Sequence, residues 1–273
     1  MRRKKILIIA LICLMTAASF AACDNATGGN DMSAIEIMAR SAEVMDGVDN
    51  FESTMESETT MSMLGETISM TMVADMVVNM DPMKMSMEMI MTIPGVDEVI
   101  AVGTYVVHEG DELITYMYMM GEWMKQTMPF SEELWNELAQ AQSAQTMYEL
   151  MKSAEIIGEE TVNGVRSWII EVTMSGDAMH EFMASMPGDT AEMFDPAMFA
   201  AMGDMHFTVW VAQNTFYQVR MIMDMTEMMN EMMGPMGVEI DNMTITMDSF
   251  NFGHAPAVVL PAEAANAVEA ILF

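Results

Sequence analysis

The sequence predicts a mainly β protein of the α+β class: a large curled antiparallel sheet of about ten or eleven strands, with an N-terminal helix and helical insertions. Three observations predict it. The stretch Met83-Lys84-Met85-Ser86-Met87-Glu88-Met89-Ile90-Met91 alternates strictly, and side chains of a strand point to opposite faces in turn, so all five methionines share one side of a sheet. Residues with turn chemistry punctuate further alternating runs at short intervals. Two stretches instead switch to helical spacing.

The first helix is expected over 33–45, where Ile35, Ile37, Met38, Ala42 and Met45 fall near one face, Ser33 can cap, and Gly47 ends the run. Strands are then expected at 51–63, 66–80, 83–93, 98–107, 112–120 and 122–128. Their breaks are Leu64-Gly65, Asp81-Pro82, Pro94-Gly95, Glu109-Gly110-Asp111 and Gly121. Loops this short between long strands force neighbours to pair antiparallel. Ser131 to Lys152 reads as a helix, with Glu132 and Glu133 suited to its N-terminal dipole and Leu134, Leu138, Ala141, Met147, Leu150 and Met151 as its stripe. A hairpin follows over 154–174, turning at Asn163-Gly164. Residues 176–203 read as an insertion with one or two short helices. Strands return at 205–212, 216–227 and 238–251, and 261–273 reads as a short helix. An open sheet of this size tends to curl, and a strongly curved sheet has a concave face that helices or a ligand must fill.

The first 22 residues stand apart. Four basic residues (Arg2, Arg3, Lys4, Lys5) precede an apolar run from Ile6 to Phe20 and the small pair Ala21-Ala22, the layout of a secretory signal. That run is shorter than the ~20 residues a spanning helix needs. Cys23 follows directly, as in the lipobox of bacterial lipoproteins, so diacylation at Cys23 and a mature chain beginning there are expected. Cys13 leaves with the signal, so Cys23 is the one cysteine of the mature chain, and lipid attachment gives an unpaired cysteine its reason. Residues 23–31, with Thr27-Gly28-Gly29-Asn30, read as a lipidated tether, and 32–273 as a single domain. The expected location is the extracytoplasmic face of the cell membrane, held there by the Cys23 anchor.

Charge narrows the partners. The chain carries −31, and loss of the signal leaves six basic against 41 acidic residues, a charge of −35. Such a field repels nucleic acid and anionic headgroups. Disorder is disfavoured by the 52% hydrophobic content.

Catalytic chemistry finds no foothold. There is no HExxH or paired-histidine spacing, no GxSxG elbow, no phosphate-cradling GxxxxGK and no GxGxxG. His108, His180, His206 and His254 are scattered, and adjacent acids such as Glu132-Glu133 and Glu159-Glu160 fall at a helix start and a hairpin. Trp123, Trp135, Trp168 and Trp210 read as core anchors. A non-enzymatic protein without metal or cofactor is expected.

The lipobox, the first helix, the methionine-rich meander and the segments Gly121-Glu122-Trp123-Met124-Lys125, Gly158-Glu159-Glu160-Thr161-Val162-Asn163-Gly164-Val165 and Thr208-Val209-Trp210-Val211 resemble the LolA/LppX-like superfamily, and within it a group of Gram-positive-type lipoproteins. The resemblance covers nearly the whole mature chain and rests on structural turns. It implies a half-open β-barrel closed on one side by helices, with an apolar cavity for lipid or acyl chains. One departure is Ala212-Gln213-Asn214-Thr215-Phe216-Tyr217, where relatives often carry an Asp-led turn and a Leu-Pro pair.

The 42 methionines are the candidate functional residues. Met70, Met72, Met76 and Met80 share one parity, Met83, Met85, Met87, Met89 and Met91 share theirs on the next strand, and Met221, Met223 and Met225 recur late. Methionine is unbranched with three rotatable bonds, so it re-packs around irregular apolar guests. The leading expectation is a wall that binds a lipid or other apolar small molecule, lined by Met70, Met72, Met76, Met83, Met85, Met87, Met89, Met221, Met223 and Met225. Alternatives are a plain methionine-rich core, an envelope sensor of the RseB type that engages a membrane-protein partner, and a thioether site for Cu(I).

Overall fold

The computed structural model describes residues 32–63, 65–80, 83–95, 99–130, 151–177, 203–234 and 237–269. The signal, the tether with Cys23, residues 131–150 of the helix expected over 131–152 and residues 178–202 of the insertion expected over 176–203 lie outside the described residues. The expected class is found, mainly β with few helices. Twelve strands occur among the described residues, and all pairings for which a register is given are antiparallel except the last strand.

The chain divides into two compact units, one from Met1–Val48 with Glu133–Met223, the other from Asp49–Glu132 with Asp224–Phe273. In the first, α1 (Ala34–Met45) begins with a reciprocal cap. The Ser33 hydroxyl accepts from the Glu36 amide at 3.3 Å while the Glu36 carboxylate accepts from the Ser33 amide at 2.8 Å. Strands β7 (Met151–Val162), β8 (Val165–Met174), β9 (Met205–Ala212) and β10 (Gln218–Asp224) follow in antiparallel order β10-β9-β8-β7. The core sets Ala34 and Ile37 of α1 against Ile170, Val172, Met174, Val209 and Val211. Asn163 (φ 50°) and Gly164 (φ 83°) both take left-handed backbone, the type I′ turn that suits hairpin twist. The departing turn after Ala212 closes differently, with Phe216 at φ 61° and its ring 5.6 Å from that of Trp168.

In the second unit, β1 (Asn50–Met63), β2 (Glu66–Met80), β3 (Met83–Thr92), β4 (Ile100–Glu109), β5 (Glu112–Met119) and β6 (Glu122–Pro129) form the expected meander. Strand β11 (Val238–Phe250) pairs with β1, and the two-residue β12 (Val268–Glu269) runs parallel to β6. The order is β12-β6-β5-β4-β3-β2-β1-β11.

Three expectations are corrected. Met151 and Lys152, read as the end of a helix, open β7, because Met151 pairs with Met174. The strand read over 216–227 stops at Asp224, and Thr226–Met233 forms helix α2. There the Asp224 carboxylate accepts from the Thr226 amide at 2.9 Å, while the Thr226 hydroxyl accepts from the Met243 amide at 2.9 Å, turning the chain out of the sheet. Of the helix read over 261–273, residues 270–273 lie outside the described residues, and 261–269 form one 3₁₀ turn, Ala262–Asn266, followed by β12. Pairing of β12 with Met124 and Lys125, and the Lys125–Glu269 ion pair at 3.1 Å, hold that segment extended.

Candidate functional site: a methionine face

Register settles which side chains share a face, because residues directly opposite in antiparallel strands point the same way. Met72 lies opposite Met91, Met76 opposite Met87 and Met80 opposite Met83, while Ala74 faces Met89 and Val78 faces Met85. The row continues outward: Met76 is flanked by Ser53 of β1, and Met87 by Thr104 of β4, which faces Met117 and then Met124. Met55 lies between Ala74 and Met247. The face therefore spans β11, β1, β2, β3, β4, β5 and β6.

Seven expected wall residues come together here, Met70, Met72 and Met76 from β2 and Met83, Met85, Met87 and Met89 from β3. Met76, Met85 and Met87 are buried and the other four half-buried. Met221 and Met223 belong to the other unit, opposite Val209 and Phe207 on β9. Met225 stands in the same unit as the face but outside the strands, buried at the head of α2, with its amide donating to the Met243 carbonyl at 2.8 Å.

The opposite face carries no methionine among the described residues of these seven strands. It presents Glu52, Thr54, Glu56 and Glu58 on β1 and Asp75, Glu88 and Lys84 on β2 and β3. It is not simply polar, since Val73, Val77, Ile90, Val107 and Ile114 also lie on it. An aromatic group sits there too, with Trp123 5.8 Å from Tyr105 and 5.3 Å from Tyr118 between ring centroids. The Tyr105 hydroxyl donates to the Glu88 carboxylate at 2.9 Å. Burial first, and that carboxylate second, push the phenol up to about 12. Val, Ile and aromatic residues thus occur on both faces, Val78, Val106 and Phe51 among the methionines, whereas methionine among the described residues keeps to one.

Sequence reasoning missed two parts of the face. Met55, Met117, Met124, Met128, Met243 and Met247 belong to it, and so do the buried hydroxyls of Ser53, Ser57, Thr59, Ser249, Thr104 and Thr115. The signal was present in the alternation Ser53, Met55, Ser57, Thr59, where small hydroxyl residues occupy the same parity as methionine. Ser53 donates to the Asp248 carbonyl at 3.0 Å. The Thr115 hydroxyl, on a residue 1% exposed, is buried without a protein partner.

Among the described residues histidine makes no cluster. His108 bonds the Gly110 carbonyl at 2.8 Å and lies 3.9 Å from the Phe130 ring, and His206 bonds Thr173 at 3.1 Å. His180 lies outside the described residues. Among the described residues no three His, Cys, Asp or Glu side chains are placed to hold a metal ion, and no helix is long and apolar enough to cross a membrane.

No curated protein matches the chain. Among solved structures it is similar to the lipoprotein LppX of Mycobacterium tuberculosis, with 15% identity over 82% of this chain and 97% of that one and a TM-score of 0.47. It is similar to LprF from Mycobacterium bovis, with 13% identity over 85% and 97% of the two chains and a TM-score of 0.46. It is also similar to a LolA superfamily protein from Nitrosomonas europaea, with 10% identity over 84% and 96% and a TM-score of 0.21. The model of DUF6612, a family of unknown function, matches residues 33–269, and the chain belongs to that family.

Proposed function

We propose that this protein is a lipoprotein, anchored through Cys23 on the extracytoplasmic side of the membrane, that seats an apolar guest on its methionine face. The observation that carries the reading is that every methionine among the described residues of β1–β6 and β11 falls on one face, interleaved there with residues such as Val78, Val106 and Ile245, while the other face holds Val73, Val77 and Ile90 but no methionine. A compositional excess of methionine would populate both faces. An ordinary core has no reason to prefer a flexible thioether over leucine or valine, and the other unit builds its core mainly from Ile37, Ile170, Val172, Val209 and Val211. Methionine suits a surface that must re-pack around guests of irregular shape.

The driving force is removal of apolar surface from water, at roughly 25 cal/mol per Å², or about 0.8 kcal/mol per methylene of an alkyl chain, less the cost of ordering the chain. The buried Thr115 hydroxyl offers an amphipathic guest one polar contact. The net charge of −31 opposes an anionic headgroup and favours a neutral or cationic one.

The test is native mass spectrometry and organic extraction of the purified protein, with titration of a neutral alkyl fluorophore. An apolar adduct, and a fluorophore displaced by it, are expected. Met85→Glu should weaken fluorophore binding at least tenfold, whereas Ile90→Glu on the opposite face should not. Absence of any adduct together with equal effects of the two substitutions overturns the reading.

A further inference from the structure

Ala74 lies at the centre of the methionine face and is 1% exposed. On its own strand Met72 and Met76 stand two residues to either side, at about 6.6 Å. Met55 of β1 and Met89 of β3 lie directly opposite it, at about 4.5–5.5 Å between Cβ atoms. Met87 and Met91 occupy the two diagonal positions on β3, at about 7–8 Å. Six thioethers thus surround one side chain that ends at Cβ. Each has three rotatable bonds, so several sulfurs can turn inward over the alanine.

The remaining neighbours are Ser53 and Ser57 of β1, and the Ser53 hydroxyl is committed to the Asp248 carbonyl. A centre built this way offers soft, uncharged sulfur. Soft thioether ligands select Cu(I), whereas Mg and Ca require oxygen.

Electrostatics points the same way. Directly behind the nest, on the other face, Asp75 and Glu88 sit opposite each other, a like-charge pair that costs stability. Thr54 donates to Asp75 at 2.9 Å and Tyr105 to Glu88 at 2.9 Å, so both carboxylates are held in place. A monovalent cation on the near side, one sheet thickness away, relieves that repulsion while its ligands stay neutral. The whole chain, at −31, draws cations toward it.

We propose that the thioethers around Ala74 form a site for a soft monovalent cation, Cu(I) or its redox-inert analogue Ag(I). The site is independent of whether an apolar guest binds the face, since a metal titration and an alkyl-fluorophore titration read the two separately.

The experiment is anaerobic titration of the purified protein with Cu(I) under ascorbate against a chromophoric Cu(I) chelator, with Ag(I) in parallel and X-ray absorption of the loaded protein. Expected is one tightly held ion per chain with a sulfur-only first shell. Ala74→Leu fills the nest while removing no sulfur, and the triple change Met72→Leu, Met76→Leu, Met89→Leu removes sulfur at nearly constant volume. Each should weaken binding at least tenfold while the circular dichroism spectrum is kept. Met221→Leu with Met223→Leu in the other unit should leave the affinity within twofold. Failure to draw Cu(I) from the chelator, a first shell containing nitrogen or oxygen, or binding that survives both nest variants overturns the proposal.

Discussion

Met87→Ala is expected to destabilise the protein by about 2–4 kcal/mol, and the figure follows from where the side chain lies. Met87 is 5% exposed, with Met76 opposite it on one side and Thr104 on the other. Truncation removes three heavy atoms, which at about 0.8 kcal/mol per methylene-sized group loses roughly 2 kcal/mol of transfer free energy. A cavity the neighbours fail to fill adds up to a comparable amount, at about 24 cal/mol per Å³. Flexible methionines nearby can collapse inward, which places the expectation below the upper end of the range for such truncations. Met87→Leu keeps the volume and should cost less than about 1.5 kcal/mol. The adjacent Glu88→Ala loses one hydrogen bond, to the Tyr105 hydroxyl, but also relieves the repulsion from Asp75 opposite it, and should cost less than about 1 kcal/mol. Urea denaturation followed by circular dichroism measures all three. If Met87→Ala falls within ~0.5 kcal/mol of wild type while Glu88→Ala exceeds it, the assignment of faces in β3 is wrong.

Four further outcomes follow from local geometry. Asp46, just past α1, has its carboxyl pushed up to about 6, first by burial and then by Glu43. The folded state therefore holds this proton more tightly than the unfolded chain, so the group's penalty is absent below about pH 3.8, grows as pH rises, and is complete above about 6. Asp46→Asn should raise stability at pH 7, on the order of 1–2 kcal/mol after discounting for partial exposure, and leave it unchanged at pH 3.5; thermal melts across pH show this. Ser33→Ala breaks the reciprocal cap of α1 and should cost about 1 kcal/mol in the same melts. Gly164→Ala meets no atom within 4 Å but must adopt φ +83°, so a loss of about 1 kcal/mol from backbone strain alone is expected in urea titration. Ultraviolet titration of the tyrosines should show one phenol ionising near pH 12, and Glu88→Gln should lower that midpoint only part of the way, since burial is the larger cause.

Much of the meander was legible because a strand's period of two is a local property. Alternation such as that from Met83 to Met91 needs no partner to declare its face, and Gly110, Gly121 and Gly164 mark turns through a backbone freedom that belongs to the residue itself. The capping of α1 by Ser33 was readable for the same reason. Expectations failed where a distant partner outweighed local preference. Met151 and Lys152 fit a helical stripe, yet pairing with β8 takes them into β7. Met225 keeps the parity of Met221 and Met223, yet the Thr226 hydroxyl finds the Met243 amide across 17 residues and the strand ends.

By itself the sequence determined that methionine would line one side of each strand, that strands joined by short turns would pair antiparallel, and that Cys23 would follow a small-residue pair after an apolar run. Only the tertiary structure decided which sides of different strands coincide. Register brought Met55, Met72, Met76, Met87, Met89 and Met91 around Ala74, left Met221 and Met223 in the other unit, and set Asp75 against Glu88 behind them. Periodicity fixes direction within one strand, whereas alignment between strands comes from hydrogen bonds and packing that link residues far apart in the chain, so no local pattern carries it.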